Sequence, residues 1–117
     1  MVYAGPERRR FPRVKGRFIV SYRILKDVDN ADISQTKNLS LGGMLLTTNR
    51  LLDPGTKLAL EIRLPFDPNP IILSGEVLES REVTKNLIYD TRIKFTSIDD
   101  KHKKIIGGTI EYYLKKG

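Results

Sequence analysis

Residue types that build reactive sites are scarce in this sequence. It has no cysteine, and its single histidine is His102. Disulfide bonds, thiolate zinc sites and cysteine nucleophiles are therefore excluded, and one histidine leaves most metal and acid/base constellations without ligands. No nucleophile, base and orienting residue can be assembled at a convincing spacing. We expect a protein that binds rather than catalyses, with no metal and no cofactor.

Long apolar runs are missing as well. No run approaches the roughly 20 residues that cross a bilayer, and the first residues lack the apolar stretch of a secretory signal. The chain has 117 residues, of which 39% are hydrophobic and 30% charged, and these values fit one compact domain. We expect a single-domain, soluble and cytoplasmic protein.

Positive charge is concentrated near the start of the chain. Twenty-one Lys and Arg against 14 Asp and Glu give a net charge of +7. Within residues 1–25, Glu7 is the only acid, and the cations are Arg8, Arg9, Arg10, Arg13, Lys15, Arg17 and Arg23. This asymmetry indicates an anionic partner, which could be nucleic acid, a nucleotide, an acidic membrane surface or an acidic protein.

Hydrophobic periodicity predicts a flexible basic arm over residues 1–16, followed by strands and a helix in residues 17–117. The arm mixes Pro, Gly and Arg without a sustained period. Alternation with period two is clearest at Leu58, Leu60, Ile62 and Leu64, which share one strand face. Strands are predicted over residues 17–24, 31–39, 44–48, 57–64, 71–81 and 88–96, with residues 82–87 as a hairpin connection.

The last part of the chain changes to a helical period. One stripe of a helix is formed by Ile98, Ile105, Ile106, Ile110 and Tyr113, and Ser97 is the expected N-cap. Five or six short strands followed by one helix predict a small antiparallel barrel that the helix caps or plugs.

Two clusters could carry binding chemistry. In the arm, Arg9 and Arg13 are four positions apart, and the arginine fork donates paired hydrogen bonds to a phosphate or to the O6/N7 edge of guanine. Farther along, Asn38 and Ser40 precede Gly43, where the backbone is open to close approach. Taken separately, the first cluster is more typical of a solvated basic terminus, and the second of an Asx turn.

Together the two clusters resemble the motifs of the PilZ domain family. RxxxR at Arg9 and Arg13 is followed by NxSxxG at Asn38, Ser40 and Gly43, and then by four strands and a helix, so the resemblance covers nearly the whole chain. It implies a mostly β fold, a six-stranded antiparallel β-barrel with an N-terminal extended arm and a C-terminal α-helix. It also implies binding of cyclic di-GMP, a bacterial second messenger.

The same resemblance implies roles for individual residues. Arg9 and Arg13 would clamp guanine bases and phosphates as the arm wraps over the ligand. Asn38 and Ser40 would hydrogen-bond a guanine from the barrel side. Gly43 would allow the turn and a close approach of the ligand.

Three further arginines are expected at the ligand. Arg8 stands just ahead of RxxxR, where an arginine in this family favours two mutually intercalated cyclic di-GMP molecules over one. Arg10 and Arg81 are additional expected contacts. The chain departs from the family pattern at Glu79, where some members have tryptophan, and at Arg92, where members commonly have glycine.

Two other binding functions stay open. A small barrel could bind single-stranded nucleic acid through the arm, but aromatic residues are 8% of the chain and Phe11 is the one aromatic among the arm's arginines, which makes a thin stacking platform. A ligand-independent member of the same family would act only as a protein adaptor. The leading hypothesis is a receptor that orders its arm over cyclic di-GMP and signals to an unidentified downstream protein.

Overall fold

The structure is a computed structural model and describes residues 13–26, 31–65 and 67–116. Within them, the elements in chain order are β1 (Val14–Lys15), β2 (Ile19–Ile24), β3 (Ala31–Leu39), β4 (Gly43–Thr48), β5 (Lys57–Arg63), β6 (Ile71–Thr84), β7 (Ile88–Ser97) and α1 (Asp100–Lys116). Strands β3, β2, β5, β6, β7 and β4 follow one another around a closed antiparallel barrel, because β4 pairs back onto β3. The predicted six-stranded barrel with a C-terminal helix is confirmed, and β1 is an extra strand beside β3.

The barrel interior is filled by one face of each alternating strand. On β5, Leu58, Leu60 and Ile62 are at most 1% exposed, and Leu64 just beyond the strand is buried too. Successive side chains of a strand point to opposite faces, so these four residues enter the core together. The inward face that the period-two pattern predicts for this strand is confirmed.

A chain of hydroxyl groups occupies a polar part of the interior. Thr48 donates to the carbonyl of Arg50 at 2.9 Å, and its oxygen lies 2.8 Å from that of Thr91. Ser80 is 2.7 Å from Thr91 on the other side. Because a hydroxyl has one hydrogen, Thr91 donates to Thr48 and Ser80 donates to Thr91. Thr48 and Thr91 are almost completely buried, and this chain satisfies their hydroxyls.

Helix α1 packs its apolar stripe against the barrel. Ile106 and Ile110 are buried in the common core, and Tyr113 meets Phe18 edge to face at 5.5 Å. The predicted N-cap at Ser97 is wrong, since Ser97 is the last residue of β7. The first helical hydrogen bond runs from the amide of Lys103 to the carbonyl of Asp99 at 2.8 Å, which makes Asp99 the N-cap.

The hairpin between β6 and β7 is longer than predicted. Residues 82–87 were expected to connect the strands, but pairing continues to Thr84 opposite Ile88, and the turn is confined to residues 85–87. Asn86 adopts a left-handed conformation with φ of 60°, which asparagine tolerates better than most residues. Its amide also donates to the carboxylate of Glu82 at 2.9 Å. Residues 81–88 are all exposed, so no hydrophobic pattern marks these strand ends.

Tyr22 is the buried titratable group of the barrel interior. Its side chain is 2% exposed. Burial raises the pKa of Tyr22 to about 12, and the neighbouring Asp32 carboxylate acts in the same direction, while Arg50 opposes it. A phenol whose folded pKa lies above its ordinary value of 10.0 stabilises the fold fully below that value and loses this contribution as the pH rises towards 12.

We expect Tyr22→Phe to change the alkaline limb of stability. Relative to the variant, the wild-type chain should lose stability between pH 10 and about pH 12, because its unfolded state releases the phenolic proton first. Urea unfolding of both proteins from neutral pH upward measures this difference. Tyr112→Phe, which alters an exposed phenol, is the control. Parallel pH profiles for wild type and Tyr22→Phe would contradict the prediction.

Candidate ligand-binding site

A β-bulge in β3 organises the outer surface beside β1. Thr36 pairs with Leu46 and Asn38 pairs with Leu45, so Lys37 is an additional residue on the β3 side. A bulge re-aims the side chains around it and commonly occurs next to binding sites. Lys37 is exposed and Asn38 is half-buried. A regular strand would point one of these side chains to solvent and the other into the core. The bulge instead places both polar side chains, Lys37 and Asn38, on the outer surface.

Asn38 replaces a main-chain acceptor in this bulge. The amide of Leu45 donates to Oδ1 of Asn38 at 3.2 Å. Because a backbone N–H can only donate, the carboxamide oxygen must face Leu45 and the NH₂ group takes the other position. On the opposite side of β3, Asn38 pairs with Lys15 of β1. The carboxamide is thus fixed in one orientation, and its NH₂ group points away from the Leu45 amide.

Ser40 closes the turn from β3 to β4. Its hydroxyl accepts from the amides of Gly42 and Gly43, both at 3.2 Å, and donates to the carbonyl of Gly43 at 3.2 Å. The amide of Ser40 donates to the same carbonyl at 2.9 Å. Ser40 is 8% exposed. One donor and two acceptor positions are the full capacity of a hydroxyl, so all of it is used inside the turn.

Gly43 lies at a close approach between two backbones. A Cβ at this position would be 2.1 Å from the carbonyl oxygen of Ile93 on β7. Gly43 pairs with Lys94, and the amide of Phe95 donates to Gly42 at 2.9 Å. The neighbour that excludes a side chain is therefore strand β7 of the barrel itself. Only glycine fits where β4 closes against β7.

Thr36 fixes the root of the arm next to the bulge. It is completely buried, and its hydroxyl donates to the carbonyl of Gly16 and accepts from the amide of Phe18 at 3.1 Å. Its own amide donates to Phe18 at 2.9 Å. These hydrogen bonds attach residues 16–18, which lie between β1 and β2, to strand β3. Sequence reasoning missed Thr36, because a buried threonine in a strand has no distinguishing pattern.

An open cleft of about 530 Å³ lies over the bulge. Its described lining is Lys15, Gly16, Arg17, Lys37, Asn38 and Leu45, which includes three cations and no acid. Ligand pockets are commonly roughly 300–1,000 Å³, so the size is ordinary for a small molecule. Several cations around one concave surface concentrate positive potential there and favour an anion. Sequence analysis counted Lys15 and Arg17 among the charges but did not assign them, Lys37 or Leu45 to a site.

The predicted site residues are only partly brought together. Asn38, Ser40 and Gly43 share the β3–β4 bulge and turn, and Arg13 directly precedes β1. Arg8, Arg9 and Arg10 lie outside the described residues. Arg81 is on β6, where its Nη2 is 3.8 Å from a carboxylate oxygen of Glu79, and it does not line the cleft.

A known domain family matches most of this chain. The sequence matches the PilZ domain family over residues 7–111, which includes the arm motif and the β3–β4 turn. The chain belongs to the PilZ domain family. PilZ domains are binding and regulatory domains. No curated relative matches the chain in sequence.

Solved structures with this PilZ fold confirm the architecture. The inhibitor of motility MotI of Bacillus subtilis superposes with a TM-score of 0.76 at 18% identity, over 94% of this chain and 51% of its own. The PilZ domain of Escherichia coli YcgR, solved with c-di-GMP, gives 0.69 at 16% identity over 94% of both chains. The K. pneumoniae MrkH–c-di-GMP complex gives 0.73 at 18% identity, over 94% of this chain and 54% of MrkH. This chain thus spans about half the length of MotI and MrkH.

In the described part of the chain, no group of three or more His, Asp or Glu side chains is placed to hold a metal ion. The one described helix, α1, is neither long nor apolar enough to span a bilayer.

We expect Gly43→Ala to destabilise the domain. The added methyl group would press on the Ile93 carbonyl and force β4 and β7 apart, a cost of about 1 to 3 kcal/mol for an overpacked site. Urea unfolding measures it. Gly108→Ala is the matched control, because a Cβ there meets nothing within 4 Å and alanine favours the helix by about 1 kcal/mol. An unchanged midpoint for Gly43→Ala would contradict the assigned contact.

Proposed function

We propose that this PilZ domain is a cyclic di-GMP receptor whose arginine-rich arm orders over the ligand and thereby signals to a partner protein. The observation that supports it most directly is the cationic cleft above the Lys37–Asn38 bulge, at the root of the segment that carries RxxxR. Cyclic di-GMP has two phosphates and two guanines. It therefore needs both cations and fixed hydrogen-bonding groups.

In this proposal the cleft supplies three cations and the Asn38 NH₂ group, and the arm supplies further arginines. Lys15, Arg17 and Lys37 surround the cleft and attract the phosphates. The NH₂ group of Asn38, held by its bond to Leu45, is positioned to donate to an acceptor on the guanine edge. Arg9 and Arg13 reach the ligand from the arm, with Arg10 beside them. Each arginine fork adds a pair of charge-assisted hydrogen bonds.

Ser40 and Gly43 act through the shape of the turn. The Ser40 hydroxyl already bonds to Gly42 and Gly43, and Gly43 lies against Ile93. In our proposal these residues hold the bulge where Asn38 can meet the ligand. Arg81 and Glu79 form an ion pair on the neighbouring part of the barrel surface, where Arg81 is available to a ligand that extends beyond the cleft.

Ordering of the arm is the proposed signal. The arm arginines repel one another until a dianion neutralises them, and the ordered arm is a new surface for a partner. The ligand can shift the arm only by the difference between its affinities for the two states. Because Tyr113 of α1 contacts Phe18 at the arm root, helix α1 belongs to the surface that this ordering can alter.

Isothermal titration calorimetry with cyclic di-GMP tests the proposal. We expect saturable binding of cyclic di-GMP and none of cyclic di-AMP or GTP. Arg9→Ala and Arg13→Ala should each weaken binding by about 1.5 to 3 kcal/mol, the usual contribution of a charge-assisted contact. Arg23→Ala is the matched control, because it removes the same charge at the opposite end of β2 from the arm root. No heat with the wild-type protein would refute the receptor function.

The salt dependence of binding separates the receptor from a nucleic-acid binder. A polyanion releases many counterions, so its affinity falls steeply with the logarithm of salt concentration. A dinucleotide site should give a shallow slope and require guanine. Tight, salt-sensitive binding of single-stranded oligonucleotides without cyclic di-GMP binding would favour the nucleic-acid alternative.

Ligand stoichiometry tests the proposed role of Arg8. We expect two cyclic di-GMP molecules per chain for the wild type and one for Arg8→Ala, because the residue ahead of RxxxR supports the second, intercalated molecule. The number of ligands per chain is measured by calorimetric titration at a protein concentration well above the dissociation constant. One ligand per wild-type chain would contradict the intercalated dimer and leave the receptor function intact.

A further inference from the structure

Lys37, the additional residue of the bulge, is held by an acid two strands away. Its Nζ is 2.8 Å from Oδ1 of Asp90 on β7. Strand β4 lies between β3 and β7, and Thr47 of β4 pairs with Asp90. The lysine side chain therefore extends across β4 to reach its partner. In this position its charge is neutralised by Asp90, although Lys37 also lines the cleft.

We propose that Asp90 lowers the affinity of the cleft for a phosphate-bearing ligand by holding Lys37, so that the ligand must compete with Asp90 for the ammonium group. This inference rests on the proposed function and deepens it. It assigns Asp90 as the residue that sets the affinity of the site without contacting the ligand. Lys37 is the cation on which it acts.

The ion pair is of a kind that a ligand can displace. The Lys37 side chain is 45% exposed and that of Asp90 26%, and although Oδ1 of Asp90 is itself shielded from solvent, its contact with Nζ is not an aligned hydrogen bond. An ion pair with a partly exposed lysine and no aligned hydrogen bond contributes little to stability. A phosphodiester carries one negative charge, as the Asp90 carboxylate does, and the second phosphate of the same ligand adds to the attraction on Lys37 and the other cations of the cleft.

Two other cations lie near Asp90 and remain there when Lys37 moves to the ligand. Arg81 is directly opposite Asp90 on β6, and Arg92 is two residues along β7 on the same outer face. Arg81 currently pairs with Glu79 at 3.8 Å, a distance at which it exchanges partners readily. Release of Lys37 therefore does not leave Asp90 without a neighbouring positive charge. The cost of moving the lysine to the ligand stays small for this reason.

The coupling between the two residues can be measured with a double-mutant cycle. We expect Asp90→Asn to strengthen cyclic di-GMP binding by roughly two- to fivefold, the factor that corresponds to an exposed ion pair. Lys37→Met should weaken binding, and Asp90→Asn should give no gain in the Lys37→Met background. Calorimetry at one fixed salt concentration gives the four affinities, and thermal unfolding confirms that each variant folds.

A matched control removes a similar charge elsewhere. Glu61→Gln breaks a surface contact with Arg63 on β5, which lies across the barrel from β4, and should leave affinity unchanged. Wild-type binding that Asp90→Asn does not alter would overturn the inference and keep the proposed function. An equal gain in the presence and absence of Lys37 would also overturn it, because Asp90 would then act only through its own charge. Failure of every variant to bind cyclic di-GMP would overturn the proposed function as well.

Discussion

The close approach of β4 to β7 at Gly43 is the contact on which the rest of the structure depends. Each neighbouring pair of strands in a closed six-stranded barrel must meet at the correct spacing, and at the β4–β7 pair the carbonyl of Ile93 occupies the place of a side chain. Closure at this point fixes the start of β4. The Ser40 turn and the bulge in β3 are then fixed as well, because both lie on the pairing between β3 and β4.

The bulge gives that closed barrel its candidate binding surface. A regular strand would alternate its side chains between core and solvent, whereas the additional residue places Lys37 and Asn38 beside Lys15 and Arg17. Thr36, one residue before the bulge, ties the arm root to the same place. The segment that carries RxxxR thus enters the barrel next to the cleft. Its root also contacts helix α1 through Phe18 and Tyr113.

Charge at this surface is balanced rather than simply accumulated. Among the described residues, three cations line the cleft, and Asp90 neutralises one of them from the far side of β4. A cleft with all of its cations unpaired would attract many anions, including abundant ones. In our proposal, partial neutralisation favours a ligand that brings more than one phosphate and so can displace the internal acid. Selectivity for a dinucleotide is consistent with this balance.

Local patterns in the sequence determined a large part of this protein. The alternation of Leu58, Leu60 and Ile62, the helical stripe through Ile106 and Ile110, and the order of the two motifs predict a barrel with a terminal helix. Such patterns can be recognised from neighbouring residues alone, because core residues must match the period of their own strand or helix. The end of β6, residues 82–84, was missed because its pairing with β7 depends on backbone hydrogen bonds between exposed residues.

Only the tertiary structure decided how the site is built. The Lys37 bulge, the Thr36 bonds to the arm root and the pairing of Lys37 with Asp90 join residues that are distant in the chain. Gly43 belongs to a recognisable motif, yet the neighbour that requires glycine there is Ile93, fifty residues later. A sequence specifies which residue types alternate and where turns are possible. Which side chains meet across a closed barrel depends on strand register, and register is set only when all six strands pair.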